Sequence, residues 1–255
     1  AGAVQGADVV INLVGILYER GRATFQKIHE EGAGNVAQAA ADAGVKRLVH
    51  VSALGADAES PAKYARSKAA GEAAVKAAFA KATILRPSIV FGPEDDFFNR
   101  FASMARLSPV LPVIGAASAK DGGPKFQPVY VGDVADAVMA ALSDAKAPGQ
   151  VFELGGPTVY SFRELMQLVM AQTGRKRCLL PLPYWAAEMQ AAILGLLPSP
   201  PLTSDQVQLL RRDNVVGDKV KTLKNLGIAP RAAEAVLPTY LMRFRNNAWQ
   251  GVQNA

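Results

Sequence analysis

Apolar residues run almost unbroken through "ADVVINLVG" (7–15), "KRLVHVSALG" (46–55) and "ATILRPSIVFGP" (82–93). Runs this short, with no alternation of polar positions, predict strands buried on both faces. Between them the period changes. "TFQKIHEEGAGNVAQAAADAGV" (24–45) and "SPAKYARSKAAGEAAVKAAFAK" (60–81) are alanine-rich with apolar positions at helical spacing. Gly44 closes the first, and Ser60-Pro61 opens the second. The alternation continues with a strand at 125–131, a helix at 132–145 begun by Asp133, a strand at 150–156 and a helix at 161–174. Ser161 and Glu164 have capping-box spacing at the start of that last helix. Strands alternating with helices predict βα units and a doubly wound, mainly parallel sheet covered on both faces. Such a sheet takes its ligands beyond the carboxyl ends of its strands.

From about residue 175 the rhythm is lost. Prolines cluster in "LPLPYW" and "LLPSPPLTSDQ" around short helical pieces. The expected organisation is a sheet domain over 1–174 and a smaller, helix-rich region over 175–255. Charge divides at the same place. Residues 1–174 hold 17 basic and 17 acidic side chains, whereas 175–255 hold 11 and 5, so the whole excess of +6 lies in the last third. Such asymmetry suits a solvated basic surface or contact with an acidic partner or anionic lipid. The basic residues are scattered without interleaved aromatics, which argues against nucleic acid. No apolar run is long enough to span a bilayer. A lone cysteine excludes an internal disulfide framework, and Cys178, in "CLLPLP", is expected to be buried and inert.

Several constellations have plain readings. "GAGNVA" (32–37) matches a dinucleotide fingerprint, but it lies inside a helical pattern and does not follow a strand, so it is expected to be a decoy that lets a helix approach the sheet. In "FGPEDDFFNR" (91–100), Asp95 or Asp96 is expected to cap a helix, and no metal is expected. His29 and His50 read as ordinary helix and strand residues, and Trp185 and Trp249 as packing anchors. "YWAAEMQAAILGLLP" (184–198) is expected to be a core helix, with docking on a membrane or membrane-embedded partner as the alternative.

Tyr64 and Lys68 carry more chemistry. At i and i+4 they are neighbours on one helix face. A nearby ammonium can lower a phenol's pKa for proton transfer, and the same lysine can hydrogen-bond ribose hydroxyls. In order, "NLVG", "EGAGNV", "VSALG", "YARSK", "LRPSIVFG" and "PVYVGDVADAV" resemble the extended and atypical short-chain dehydrogenase/reductase superfamily over about residues 7–175. Nearly the whole chain, including "LPLPYWAAEMQAAILGLL", is similar to one branch: the NAD(P)H-binding accessory subunits of respiratory complex I, in their bacterial forms.

The resemblance implies a Rossmann-like fold and a set of roles. Asn12, Leu13, Val14 and Gly15 would lie along the adenosine side of the dinucleotide. Ser52 and Ala53 would edge the nicotinamide pocket, Tyr64 and Lys68 would hold the nicotinamide ribose, and Pro87, Ser88 and Ile89 would contact the nicotinamide end. NADP(H) is implied ahead of NAD(H). The implied setting is peripheral, on the cytoplasmic side of a bacterial inner membrane, with complex I subunits as partners and membrane-surface contact through the basic C-terminal region; a cytoplasmic location is the alternative. Two departures weigh against independent catalysis. Leu54 stands where active members carry a Ser or Thr, and the glycine-rich strand–turn–helix is missing, so about 60 residues or more are expected ahead of Ala1. The alternatives are an NAD(P)-dependent sugar epimerase, dehydratase or reductase with Tyr64 and Lys68 catalytic, and a redox-sensing regulator with a soluble partner.

Overall fold

The computed structural model describes residues 2–195, 197 and 200–245. In chain order its main elements are β1 (Val9–Asn12), α1 (Gly32–Asp42), β2 (Arg47–Val51), α2 (Lys63–Ala78), β3 (Thr83–Pro87), β4 (Val90–Phe91), α3 (Phe97–Leu107), β5 (Val110–Ile114), β6 (Lys125–Phe126) and β7 (Val129–Tyr130). There follow α4 (Val131–Ser143), β8 (Val151–Leu154), β9 (Tyr160–Ser161), α5 (Phe162–Thr173), β10 (Cys178–Leu182), α6 (Tyr184–Leu194), α7 (Ser204–Leu209), β11 (Lys221–Thr222) and α8 (Ala233–Leu241).

These elements form two compact units that interleave along the chain: the described residues within 1–88, 133–155 and 216–229 make one, and those within 89–132, 156–215 and 230–245 the other. This differs from a boundary at 174. The chain leaves the first unit after β3, returns for α4 and β8, leaves again, and comes back to add β11 beside β8. The region after 175 is divided between the two units. It contributes one strand to the large sheet and another, β10, to a parallel pair with β5.

The first unit is built on a five-stranded, wholly parallel sheet in the order β1-β2-β3-β8-β11. Register places Val10 beside Leu48 on one face, where both meet the cluster of Ala33, Ala37, Val75 and Ala82 from α1, α2 and the turn before β3. Val9, Ile11, Val49 and Thr83 share the other face by the strand's period of two. That face meets the end of α4: Arg47 Nη1 donates to the Asp144 carbonyl at 3.3 Å and Thr83 Oγ1 to the Ala147 carbonyl at 2.9 Å. Helical layers on both faces make the sheet doubly wound. β1 is an edge of the described sheet, with Val9 and Ile11 exposed.

"GAGNVA" lies inside a continuous helical stretch formed by a π-helical turn, Gln26–Glu31, and α1. Its small residues serve both a sheet and a helix approach: Ala33 and Ala37 pack with Leu48 and Val10 of the sheet, and a Cβ on Gly34 would lie 3.3 Å from the Ala74 Cβ on α2.

The second unit packs a phenylalanine-rich core, including Phe91, Phe98, Phe101, Phe126 and Phe162, under α3, α5 and α8. Asp95 caps α3, its Oδ1 accepting from Phe98 N at 2.6 Å and Asn99 N at 3.2 Å. The Ser161–Glu164 capping box is formed, and Gly174 ends α5 in the left-handed region. Two expectations fail here. Cys178 is exposed, because β10 belongs to a two-stranded sheet with one uncovered side. Trp185 is 65% exposed: α6 buries Ala187 and Ala191 and turns Trp185, Met189 and Ile193 outward. Trp249 lies outside the described residues.

Candidate functional site

The carboxyl ends of β1, β2, β3 and β8 converge on one rim of the parallel sheet, where sheets of this kind hold their ligands. The backbone ladder runs past the strand ends. Ser52 N donates to the Leu85 carbonyl and Leu54 N to the Pro87 carbonyl, both at 2.8 Å, and Ser88 N donates to the Leu154 carbonyl at 2.9 Å. The residues after each strand are thereby fixed.

Asn12 ends β1, buried, in register with His50 on β2. Its Oδ1 accepts from Val14 N at 3.2 Å, so its Nδ2 is the group that donates to His50 Nδ1 at 3.1 Å. A neutral His50 then carries its proton on Nε2, which is buried with no hydrogen-bond partner among the described residues. Ser52 Oγ, two residues further on and just past β2, is likewise buried and unpartnered. Beyond Asn12 the chain opens into a loop with Leu13 65% and Val14 60% exposed. Gly15 comes close enough to α2 that a Cβ there would lie 3.3 Å from Lys68 Nζ and 3.5 Å from His29 Nε2.

Helix α2 brings Tyr64 and Lys68 to this loop. Lys68 is only 5% exposed, and its Nζ donates to the Val51 carbonyl at 3.4 Å. Burial lowers its pKa to about 8, against the pull of Glu72 one turn further on. Burial likewise pushes the Tyr64 phenol up to about 12. The Lys68 ammonium lies 5.9 Å from the centre of the Tyr64 ring. At neutral pH without a ligand the phenol is protonated and can donate a hydrogen bond.

His29, on the π-helical turn, faces the same place. Its ring stacks on Phe25 at 5.3 Å and meets the Tyr64 ring edge-on at 5.4 Å. Burial and the Lys68 charge bring its pKa to about 4, and the same two causes bring His50 to about 4. Below them Arg86 of β3 forms a bidentate pair with Glu72, both contacts at 2.8 Å, and lies 3.5 Å from Glu153 of β8.

Of the residues singled out from sequence, Asn12, Val14, Gly15, Tyr64 and Lys68 thus belong to one constellation around β1, β2 and α2. Leu13 lies in the same loop and, like Val14, is exposed. Ser52 and Ala53 follow β2, Pro87 closes β3, and Ser88 is buried at the same rim. Ile89 is the first residue of the second unit, where its carbonyl accepts from Val129 N at 2.9 Å and its side chain packs on that unit's core. Leu54 is buried. Sequence reasoning passed over His29, His50 and Ser67. The available signal was spacing: His29 lies one turn after Phe25, and His50 lies two before Ser52 on a strand.

Among the described residues no three His, Cys, Asp or Glu side chains come together as a metal site. A dinucleotide fits the donor set better. The rim presents a buried ammonium, a phenol and an unpartnered hydroxyl at Ser52.

A doubly wound parallel sheet with a Tyr-x-x-x-Lys helix beside its rim is the dinucleotide-binding class of α/β protein. The comparisons with known proteins narrow this. Residues 2–155 match the model of the NAD dependent epimerase/dehydratase family, and the chain belongs to that family. The chain is 35% identical over 249 residues to NADH dehydrogenase [ubiquinone] 1 alpha subcomplex subunit 9, mitochondrial, of Mus musculus, covering 97% of this chain and 64% of that protein. It is 32% identical over 248 residues to the NADH-ubiquinone oxidoreductase 40 kDa subunit, mitochondrial, of Neurospora crassa, with the same coverage. The chain therefore spans a little under two thirds of the length of these curated relatives. Among solved structures, a dTDP-glucose 4,6-dehydratase from Streptomyces venezuelae with NAD and TYD bound superposes with a TM-score of 0.67 at 20% identity, over 97% of this chain and 76% of that one. That likeness is one of fold.

Proposed function

We propose that the protein is an NAD(P)H-binding accessory subunit of respiratory complex I, holding its dinucleotide mainly as a structural ligand. The observation that carries this reading is the 35% identity across 97% of the chain to a subunit of that complex, with the Tyr64–Lys68 pair standing at the sheet rim. Asn12, Leu13, Val14 and Gly15 follow the adenosine side, Ser52, Ala53, Pro87, Ser88 and Ile89 serve the nicotinamide end, and Tyr64 and Lys68 grip the ribose between them. The bound cofactor, NADP(H) in preference to NAD(H), braces the fold that binds it. A ligand present at a thousand times its Kd adds about 4 kcal/mol.

The protein sits peripherally on the cytoplasmic side of the bacterial inner membrane. No helix among the described residues is long and apolar enough to cross a membrane. Contact with the surface is made by the basic C-terminal region, and the outward Trp185, Met189 and Ile193 of α6 suit it.

Native purification from membranes of the source organism tests this. The protein is expected to co-migrate with NADH:quinone oxidoreductase and to release NADPH on denaturation. Recovery as a soluble protein free of complex I and nucleotide overturns the reading. The intact Tyr64–Lys68 pair and the family match favour a second reading, an NAD(P)-dependent epimerase or reductase. It requires turnover of a nucleotide-sugar or carbonyl substrate that Tyr64→Phe abolishes.

A further inference from the structure

The loop that follows β1 is fastened by two buried side chains, and one of them reaches across to α2. Val14 N is held by Asn12. Ile16 N donates to His29 Nε2 at 2.9 Å. Because Nε2 accepts, the neutral ring carries its proton on Nδ1, which donates to Ser67 Oγ at 2.8 Å. The Ser67 hydroxyl in turn donates to the Tyr64 carbonyl at 2.8 Å. Every hydrogen in this chain is used once, and it runs from the loop to the backbone of the residue proposed to hold ribose.

The ring has no freedom to swing away. Phe25 stacks on it and Tyr64 closes its edge. Gly71 lets α2 press on the π-helical turn itself, since a Cβ there would come within 2.0 Å of the His29 carbonyl oxygen. A charged ring would set a second N–H against that of Ile16, and the buried Lys68 ammonium opposes that charge as well.

We infer that His29 is a positioning residue: it locks the Leu13–Ile16 loop to helix α2, so that the loop seating the dinucleotide and the Tyr64–Lys68 clamp keep one fixed geometry. This rests on reading the loop and the clamp as the two sides of the dinucleotide site.

Two substitutions separate the lock from simple packing. In the full-length protein, His29→Gln places an amide oxygen near the Nε2 position and keeps the Ile16 bond, whereas His29→Asn reaches only the Nδ1 position and loses it. Amide hydrogen exchange at Ile16 is measured without nucleotide, and NADPH and NADH affinity by fluorescence titration. The expected result is that His29→Asn speeds Ile16 exchange and weakens nucleotide binding, each roughly tenfold, as the loss of one hydrogen bond dictates, while His29→Gln, which keeps the Ile16 bond and loses the one to Ser67, leaves Ile16 exchange within about twofold of wild type and weakens binding by a few-fold. Ser67→Ala, which loses the same bond and leaves the ring packed, is expected to match His29→Gln. The inference is overturned if the Gln and Asn variants behave alike, or if faster exchange spreads equally over β2 and β3. Wild-type protein that binds neither nucleotide overturns the site reading itself, before any variant is compared.

Discussion

Lys68 lies one helical turn beyond Tyr64, yet its ammonium sits 5.9 Å from the centre of the tyrosine ring and bonds to the Val51 carbonyl. It is a buried cation beside the phenol's face, and burial, not the lysine, sets the phenol's proton affinity. The depressed Lys68 pKa means that folding disfavours its charged form by on the order of 3 kcal/mol. At pH 7 that cost is fully present, and it is relieved only as pH rises from about 8 towards the unfolded value. Lys68→Met is therefore expected to leave the thermal midpoint unchanged or raised while weakening nucleotide binding at least tenfold. Differential scanning fluorimetry with and without NADPH checks both halves. A variant that loses stability and keeps affinity contradicts the clamp.

Stability is expected to fall in mild acid because of the two buried histidines. Both have folded pKa values of about 4, below the unfolded 6.5. Between those values the unfolded chain takes up protons that the folded one refuses, so stability is lost as pH drops from about 6.5 to about 4. Each histidine accounts for about 3 kcal/mol over that window. Urea midpoints across pH 4 to 7 measure the slope. His29→Gln and His50→Gln should each remove roughly half of it, and an unchanged slope in both would place the dependence elsewhere.

Arg86 joins α2 to the sheet through Glu72 and Glu153, and Glu153 also accepts from Gly217 N at 2.9 Å ahead of β11. The Glu72 side chain is almost wholly buried. Removing the cation strands that carboxylate, so Arg86→Met is expected to cost about 3–5 kcal/mol in urea denaturation. Arg86→Lys recovers less than half of this, since a lysine cannot make the bidentate pair. If Glu72→Gln in the Arg86→Met background restores most of the loss, the stranded charge is the cause.

How much of this could be read beforehand follows from how local each cause is. The strands at 46–55 and 82–93 and the helix at 60–81 were legible because run length, alanine content and breakers act over a few residues. The same logic exposed "GAGNVA" as helical. The interleaving of the two units was not legible, because β11 joins β8 across more than 60 residues and consists of only two. Cys178 and Trp185 were misjudged because an apolar residue is buried only if something covers its side, and local pattern does not say what does. At the site, Tyr64 and Lys68 could be found from their own spacing. His29, Ser67 and His50 acquire their roles from Ile16, Tyr64 and Asn12, and the contacts of His29 and His50 lie 13 to 38 residues away.

The tightest approach in the first unit is made by Gly71, and it supplies a prediction independent of any ligand. Its missing Cβ would stand 2.0 Å from the His29 carbonyl oxygen and 3.0 Å from the carbonyl carbon, both backbone atoms that no rotamer change can move. In an exposed helix interior, alanine would be favoured over glycine by up to about 1 kcal/mol. Here the collision wins. Either α2 lifts from the π-helical turn or the turn unwinds, and each separates His29 from Ser67 and Tyr64. Gly71→Ala is expected to destabilise the protein by about 3 kcal/mol or more, in line with overpacking against rigid backbone. Gly44→Ala, at a left-handed position with nothing within 4 Å, provides the comparison: about 1 kcal/mol of conformational strain and no effect on the site. Matched urea denaturation of the two variants decides it. Equal losses would mean that α2 and the π-helical turn are not in the contact described.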